Sequence, residues 1–531
     1  MVYGRLYEYV VSFFSDSRKV MWLTLFFAVM SSLMHIFFNQ NMYRDVAFCY
    51  AFGVQEAARG DWTLALDPGL PVLNMVLGGI VSLSGISAYQ SLMIVSCVFF
   101  IATIFPLNAL LKRFVSPLWA SVGCLMFAIA PKIIRFSCTG LLESARNFFF
   151  ILSFWLLCCL YERMNIRRSL WFAFAIAGLA LARAEGLIIS ATFVILLILG
   201  ALWNIRNGVS TGKVWKIIGY SLLVVFAFSL LVMPRILYNM EKTGYPSLDT
   251  RYHPYMDYFF HMNKIVKLPQ DYPHPKAIQE SAQAYKSKQG FDVLKQAKAV
   301  FVDAMRGAYE LYLALAVIGI GFCVFRYRLV YDLIHCEIPQ IVRDGWRLEY
   351  SAGAVLILVH CILYFADCSS YRYYTFISPL LLPFSLLPLF LILALPWPWK
   401  RLWRNIIVSL ALITAVAQVH NGWSFMLAEN GCDEAKYGYY LKQHAADFLP
   451  VGERDRRVRC YSDYAEAAFY SGFYITNNSL VCKSYRLQAE QYNFDVAIFQ
   501  GDEPHDDFAV KYRLREVTHP FTGKFRLYCR K

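Results

Sequence analysis

Apolar stretches of roughly twenty residues recur from one end of this chain to the other, and they settle its solvent. A hydrocarbon layer of about 30 Å takes about twenty apolar residues to cross as a helix. Eleven runs have that character: 22–38, 88–111, 117–134, 145–161, 169–184, 186–204, 217–237, 308–325, 350–366, 374–395 and 404–423. Of the 531 residues, 58% are hydrophobic and only 17% charged, with mean hydropathy +0.42, whereas a soluble domain is about 25% charged. The sequence therefore predicts an α-helical polytopic membrane protein of about eleven transmembrane helices. The apolar stretch 70–85 is treated differently. It opens on proline and contains Gly78 and Gly79, and counting it as a span inverts every later loop, so it is expected to lie at the interface.

The net charge of +14 does not indicate nucleic acid, because its location reports topology instead. One set of loops carries Arg5, Arg18 and Lys19; Lys112 and Arg113; Arg163, Arg167 and Arg168; Arg206, Lys213 and Lys216; Arg326, Arg328, Arg343 and Arg347; and Lys400, Arg401 and Arg404. The short loops of the other set carry only Arg44, Arg59, Arg135 and Arg372. The positive-inside rule then predicts a cytoplasmic amino terminus, held by a signal anchor, and an extracytoplasmic carboxy-terminal region. Most of the cysteines fall inside spans, where they act as small apolar residues. Cys432, Cys460, Cys482 and Cys529 are placed to form disulfides if their region is extracytoplasmic, and no cysteine spacing resembles a zinc site.

Two domains are expected: 1–423 in the membrane, with long outer loops at 39–87 and 239–307, and 424–531 as a small soluble α/β domain. In the latter an amphipathic helix (433–448) precedes strands at 458–462, 495–499 and 524–529. The outer face then gathers the ionisable residues. Asp45 follows the first span, Glu143 opens the fourth, Lys132 and Arg135 precede it, Arg183 and Glu185 share a tight turn, and Arg372 begins the tenth span. Tyr255 and His261 lie in the second long loop and are candidates for an acceptor entrance. Bland readings stand beside these: a solvated helix-end carboxylate at Asp45, a pair of Glu143 with Arg146 one turn on, a structural Arg183–Glu185 pair, and a snorkelling anchor at Arg372.

Acids and guanidinium groups at one membrane depth suit transfer chemistry on an anionic lipid. Arg binds phosphate bidentately and steadies the charge that grows as it leaves. A carboxylate takes the proton of the acceptor, and a single base activating direct displacement inverts the anomeric centre. No Rossmann glycine fingerprint for a nucleotide sugar is present.

Several segments together resemble GT-C type glycosyltransferases, in particular the bacterial protein O-mannosyltransferase-like and aminoarabinose-lipid A transferase-like families. They are Asp45 after the first span, Gly60-Asp61-Trp62 and Pro68 ahead of an interfacial helix, Ala130-Pro131-Lys132 through Leu142-Glu143, Leu181 to Gly186, and Arg372-Tyr373 through Ser378-Pro379. The resemblance implies a GT-C bundle in a bacterial inner membrane with a periplasmic site and a polyprenyl-phosphate-linked sugar donor. It further implies a lipid, glycan or protein acceptor, Asp45 as general base, Glu143 as the second acid, and Arg372, with Arg183, Arg135 and Lys132, at the donor phosphate. The chain departs from the pattern at Asp67-Pro68-Gly69, and the outer loops near Asp45 and Glu143 hold no Asp-x-Asp motif, so no cofactor or metal is indicated. The rival readings are a polytopic transporter or lipid flippase, disfavoured by the lack of an inverted repeat, and a noncatalytic subunit for envelope assembly. Alkaline phosphatase fused at 143 or 372 is expected to be active and, at 113 or 167, inactive; a cytosolic signal from 143 or 372 overturns the arrangement.

Overall fold

Wherever an apolar run falls on described residues it is helical. The structure, a computed structural model, describes residues 16–39, 46–67, 71–183, 185–206, 211–243, 246, 248, 293–325, 342–365, 371–394, 413–421, 423, 433–449, 457–462, 469–471, 473–475, 495–500, 513–520 and 525–530. The helices are α1 (Ser17–Phe38), α2 (Phe52–Ala58, continuing a π-helical turn at Val46–Ala51), α3 (Val72–Ser82), α4 (Ala88–Leu111), α5 (Pro117–Ile129), α6 (Pro131–Ser137), α7 (Glu143–Glu162), α8 (Ile166–Ala182), α9 (Gly186–Arg206), α10 (Thr211–Thr243), α11 (Val293–Gly307), α12 (Glu310–Phe325), α13 (Val342–Phe365) and α14 (Ile377–Ala394). Local chemistry sets several starts: Asp16, Ser87 and Asn165 accept from the backbone N–H groups of Arg18, Gln90 and Arg168 and cap α1, α4 and α8, satisfying donors that the first turn leaves open.

Among the described residues, α1, α4, α7, α9 and α10 are long and apolar enough to cross a membrane, and α5 with α6 makes a sixth if the bent pair is one span. The protein is a multi-pass membrane protein. The expected single span 117–134 is broken, because Ala130 precedes a proline and is driven to an extended ψ of 117°; α5 and α6 meet at 64°. The uninterrupted apolar parts of α12, α13 and α14 are shorter (Glu310–Ile320, Ser351–Leu363 and Ile377–Leu389), as is α3. With 11 residues, α3 rises about 16 Å, half a bilayer. It turns Asn74, Met75, Gly78 and Gly79 inward and leaves Ile80 exposed.

The bundle core is aromatic: Phe150 meets Phe193 at 5.5 Å and Phe376 at 4.6 Å between ring centroids. Around it, Trp22 on α1 and Phe226 and Leu230 on α10 are 73%, 68% and 64% exposed. An apolar surface of this kind is unstable in water and ordinary in lipid.

Residues 433–530 contribute a helix, α15 (Asp433–Gln443), and a mixed sheet of β1 (Arg459–Ser462), β2 (Tyr474–Ile475), β3 (Val496–Gln500), β4 (Leu514–Val517) and β5 (Phe525–Arg530) in the order β2-β1-β3-β5-β4. β1 runs parallel to β2 and β3; β5 is antiparallel to β3 and β4. Tyr437 of α15 stacks on Phe525 at 4.6 Å and closes the sheet face. Cys460 and Cys529 are unbonded and lie on strands either side of β3, about 9.6 Å apart at two ladder spacings and beyond disulfide reach. Burial pushes the Cys529 thiol up to about 12, so it stays protonated and inert. Cys432 and Cys482 lie outside the described residues. Arg457, leading into β1, reaches Glu56 of α2 at 2.5 Å and sits 5.6 Å from the Phe52 ring, joining this unit to the segment after α1.

At the opposite end of the bundle, Arg113 binds Glu349 of α13 at 2.6 Å and Glu162 of α7 at 3.0 Å and donates to the Cys158 carbonyl at 3.3 Å. Three helices are tied by one guanidinium. Removing one partner of a buried pair leaves the other charge uncompensated. Arg113→Met is expected to cost about 3–5 kcal/mol, read as a lowered melting temperature in detergent; an unchanged melt contradicts this account.

Candidate active site

Burying a carboxylate is costly unless it is paired, and Glu143 is 1% exposed. The loop before it explains its position. Gly140 has φ +78°, and a Cβ there would stand 3.3 Å from Leu92 Cβ and 3.5 Å from Val46 Cγ1. Ser96 of α4 donates to the Leu141 carbonyl at 2.9 Å. The chain therefore enters α7 with Glu143 in its first turn, where the helix dipole favours a negative charge.

Two guanidinium groups converge on Glu143 Oε1: Arg183 Nη1 at 2.9 Å and Arg372 Nε at 3.7 Å. Glu143 Oε2 is buried and accepts no hydrogen bond among the described residues. Arg183 leaves the end of α8 in an extended conformation and also pairs through Nε with Glu185. The turn is held by the Gly186 N–H donating to the Arg183 carbonyl at 3.0 Å, and a Cβ at Gly186 would overlap the Leu179 carbonyl oxygen. The Tyr373 ring serves both arginines, 4.6 Å from Arg183 Cζ and 5.0 Å from Arg372 Cζ, a cation–π arrangement that fixes their planes.

Arg146, one turn along α7 and 1% exposed, braces the facing segment. It donates to the Tyr373 carbonyl at 2.7 Å, the Thr375 hydroxyl at 3.0 Å and the Arg372 carbonyl at 3.4 Å, while Asn147 donates to Thr375 at 3.2 Å. The 3₁₀ turn Tyr371–Tyr374 is thus pinned with Arg372 facing Glu143. Among the described residues, three guanidinium groups (Arg146, Arg183, Arg372) stand against two carboxylates (Glu143, Glu185), one positive charge in excess. That excess, beside an unpaired carboxylate oxygen, suits a mono-anionic ligand that also donates a hydrogen bond.

The structure brings Glu143, Arg183, Glu185 and Arg372 together and sends Lys132 elsewhere. Beyond the bend, Lys132 Nζ binds Glu310 of α12 at 2.6 Å and the Arg306 carbonyl at 3.1 Å. Arg135 is half-buried, 5.9 Å from the ring of Phe136. Asp45, Pro68, Tyr255 and His261 lie outside the described residues; Val46, next after Asp45, is buried and lies against the Gly140 loop. Among the described residues no cluster of three His, Cys, Asp or Glu is arranged to hold a metal. Sequence reasoning underrated Arg146 and missed Arg235 of α10, which donates to the carbonyls of Leu66 at 2.6 Å and Asp67 at 2.8 Å. Both sit in apolar helical runs, where an ionisable residue is itself the signal.

No family model matches this chain, and no curated protein matches it in sequence. Solved structures do. The apo crystal structure of ArnT from Cupriavidus metallidurans superposes with a TM-score of 0.58 at 11% identity, covering 95% of this chain and 97% of that one. The chain has the fold of that protein. The same ArnT bound to undecaprenyl phosphate gives 0.56 at 10% identity over the same shares. A looser likeness, TM-score 0.44 at 11% identity, covers 90% of this chain and 69% of the archaeal oligosaccharyltransferase AglB from Archaeoglobus fulgidus.

If Arg146 is the brace of the 371–376 turn, Arg146→Met should raise amide hydrogen exchange there by at least about tenfold, the size of one lost charge-assisted hydrogen bond. Protection equal to the wild type at 371–376 would show that the turn stands without it.

Proposed function

We propose that this protein is a membrane glycosyltransferase that moves one sugar from a polyprenyl-phosphate-linked donor to a lipid, glycan or protein acceptor on the extracytoplasmic side. The observation that carries the reading is the buried Glu143–Arg183–Arg372 cluster, in which two guanidinium groups converge on one carboxylate. A sugar-phosphate diester bears one negative charge, and its phosphate gains charge as the C1–O bond breaks. Arg372 and Arg183 are the groups to hold it, because charge-assisted contacts strengthen as that charge grows. The fold shared with ArnT, a protein crystallised with undecaprenyl phosphate, supports a ligand of this class. Lys132 and Arg135 take the outer edge of the phosphate site, the former after release from Glu310.

In this mechanism Asp45 removes the acceptor proton while the new bond forms on the face opposite the departing phosphate, giving inversion. Glu143 keeps both arginines oriented, and its buried, unpartnered Oε2 accepts a hydroxyl of the bound sugar. Tyr255 and His261 belong to the acceptor side. The same reading takes residues 1–423 as an eleven-span domain of a bacterial inner membrane, amino terminus inside, and 424–531 as a periplasmic domain covering the site.

Two measurements test it. Purified protein in liposomes should bind undecaprenyl phosphate, and Arg372→Met should weaken binding about tenfold or more, the worth of a hydrogen bond to a charged group. Asp45→Asn should cut product formation, followed by mass spectrometry of envelope lipids and glycans, about a hundredfold or more with binding retained. Full turnover in Asp45→Asn overturns the mechanism, and lipid flipping without any covalent product overturns the enzyme.

A further inference from the structure

A cleft of about 660 Å³ opens where the carboxy-terminal unit meets the membrane bundle. It is separate from the Glu143 cluster. Tyr89 of α4 lines it, accepts from Asn39 at 3.4 Å, and turns its ring toward Gly140, 3.7 Å from where a Cβ would be. The first turn of α4 therefore partitions the two.

The lining has three parts. At one edge stand Phe37 and Leu83, 70% and 59% exposed, with Ile86 beside them; apolar groups so exposed at a helix end belong in hydrocarbon. Arg59 from the bundle and Lys442 from α15 also line the cleft, and among the described residues no Asp or Glu does. Arg59 pairs with Glu56 at 2.9 Å, but that carboxylate also takes Arg457, so the group keeps a positive charge. Lys442 is exposed and makes no ion pair among the described residues. Gln55, also in the lining, has a buried side-chain oxygen that accepts no hydrogen bond among the described residues. An anion between two cations, a hydroxyl donor for Gln55 and an apolar tail leaving past Phe37 and Leu83 together define the missing occupant.

We infer that this cleft binds the headgroup of an anionic bilayer phospholipid with a hydroxylated headgroup, of the phosphatidylglycerol kind, and that its phosphate bridges Arg59 and Lys442. The lipid then joins the carboxy-terminal unit to the bundle alongside the Arg457–Glu56 pair. Neither cation belongs to the proposed transfer machinery, so the inference does not rest on that function.

The test uses the full-length protein stripped of lipid in detergent and then offered phosphatidylglycerol, phosphatidylcholine or free glycerol phosphate. Native mass spectrometry counts bound lipid, and melting reports stability. Phosphatidylglycerol should be retained and should raise the melting temperature, and Lys442→Glu and Arg59→Glu should each reduce retention about tenfold, the worth of one charge-assisted contact. Lys442→Gln, a milder change at an exposed position, should reduce it less and leave the circular dichroism spectrum unaltered. Undecaprenyl phosphate binding, weakened in Arg372→Met, should persist in all three, which separates failure here from failure of the transferase reading. Equal retention of phosphatidylcholine, equal stabilisation by glycerol phosphate alone, or wild-type retention in both charge-reversal variants overturns the inference.

Discussion

A carboxylate shut inside the end of an apolar bundle has to be matched by cations, and the upper half of this molecule is organised around that requirement. Glu143 is matched by Arg183 from the end of α8 and Arg372 from the turn before α14. Those arginines need orientation in turn, which comes from Tyr373 between them and from Arg146 beneath the turn. Separating these groups strands charge in a low dielectric, where it is most costly. The ends of α7, α8 and α14 are therefore held together more firmly than their apolar contacts alone would hold them. The same groups are the ones chemistry on a lipid phosphate needs.

The opposite end uses the same device for a different purpose. Arg113 gathers Glu349 and Glu162 and locks α7 and α13 to the end of α4. Helices anchored at both ends are poorly suited to the rocking of halves that alternating access requires. They are well suited to a fixed site, since transfer chemistry depends on reacting groups being held in place. The carboxy-terminal unit adds a third tie, through Arg457 to Glu56, on the segment that leads on from Val46.

Much of the architecture was legible because it is local. The run 88–111 coincides with Ala88–Leu111, and the short stretch after Pro71 forms a helix of only 11 residues. Three strands were readable as apolar, β-prone segments, but β2 and β4 were not. β2 has two residues, and β4 is an edge strand whose Arg515 and Glu516 face outward, so neither shows a buried stripe. The break between α5 and α6 was overlooked although Pro131 announced it, because the apolar run continued through it.

The sequence by itself determined that the chain lives in lipid, which segments are helical, and that Glu143, Arg183 and Arg372 share one depth, since helix length and loop charge are properties of neighbouring residues. Only the tertiary structure decided which of these charges meet. Lys132 and Arg183 were equivalent candidates by depth, yet the bend at Ala130 carries Lys132 to Glu310 while the Gly186 turn delivers Arg183 to Glu143. Arg146 finds its partners 226 to 229 positions away. Pairing across such separations is set by how helices pack around one another, which no local pattern encodes.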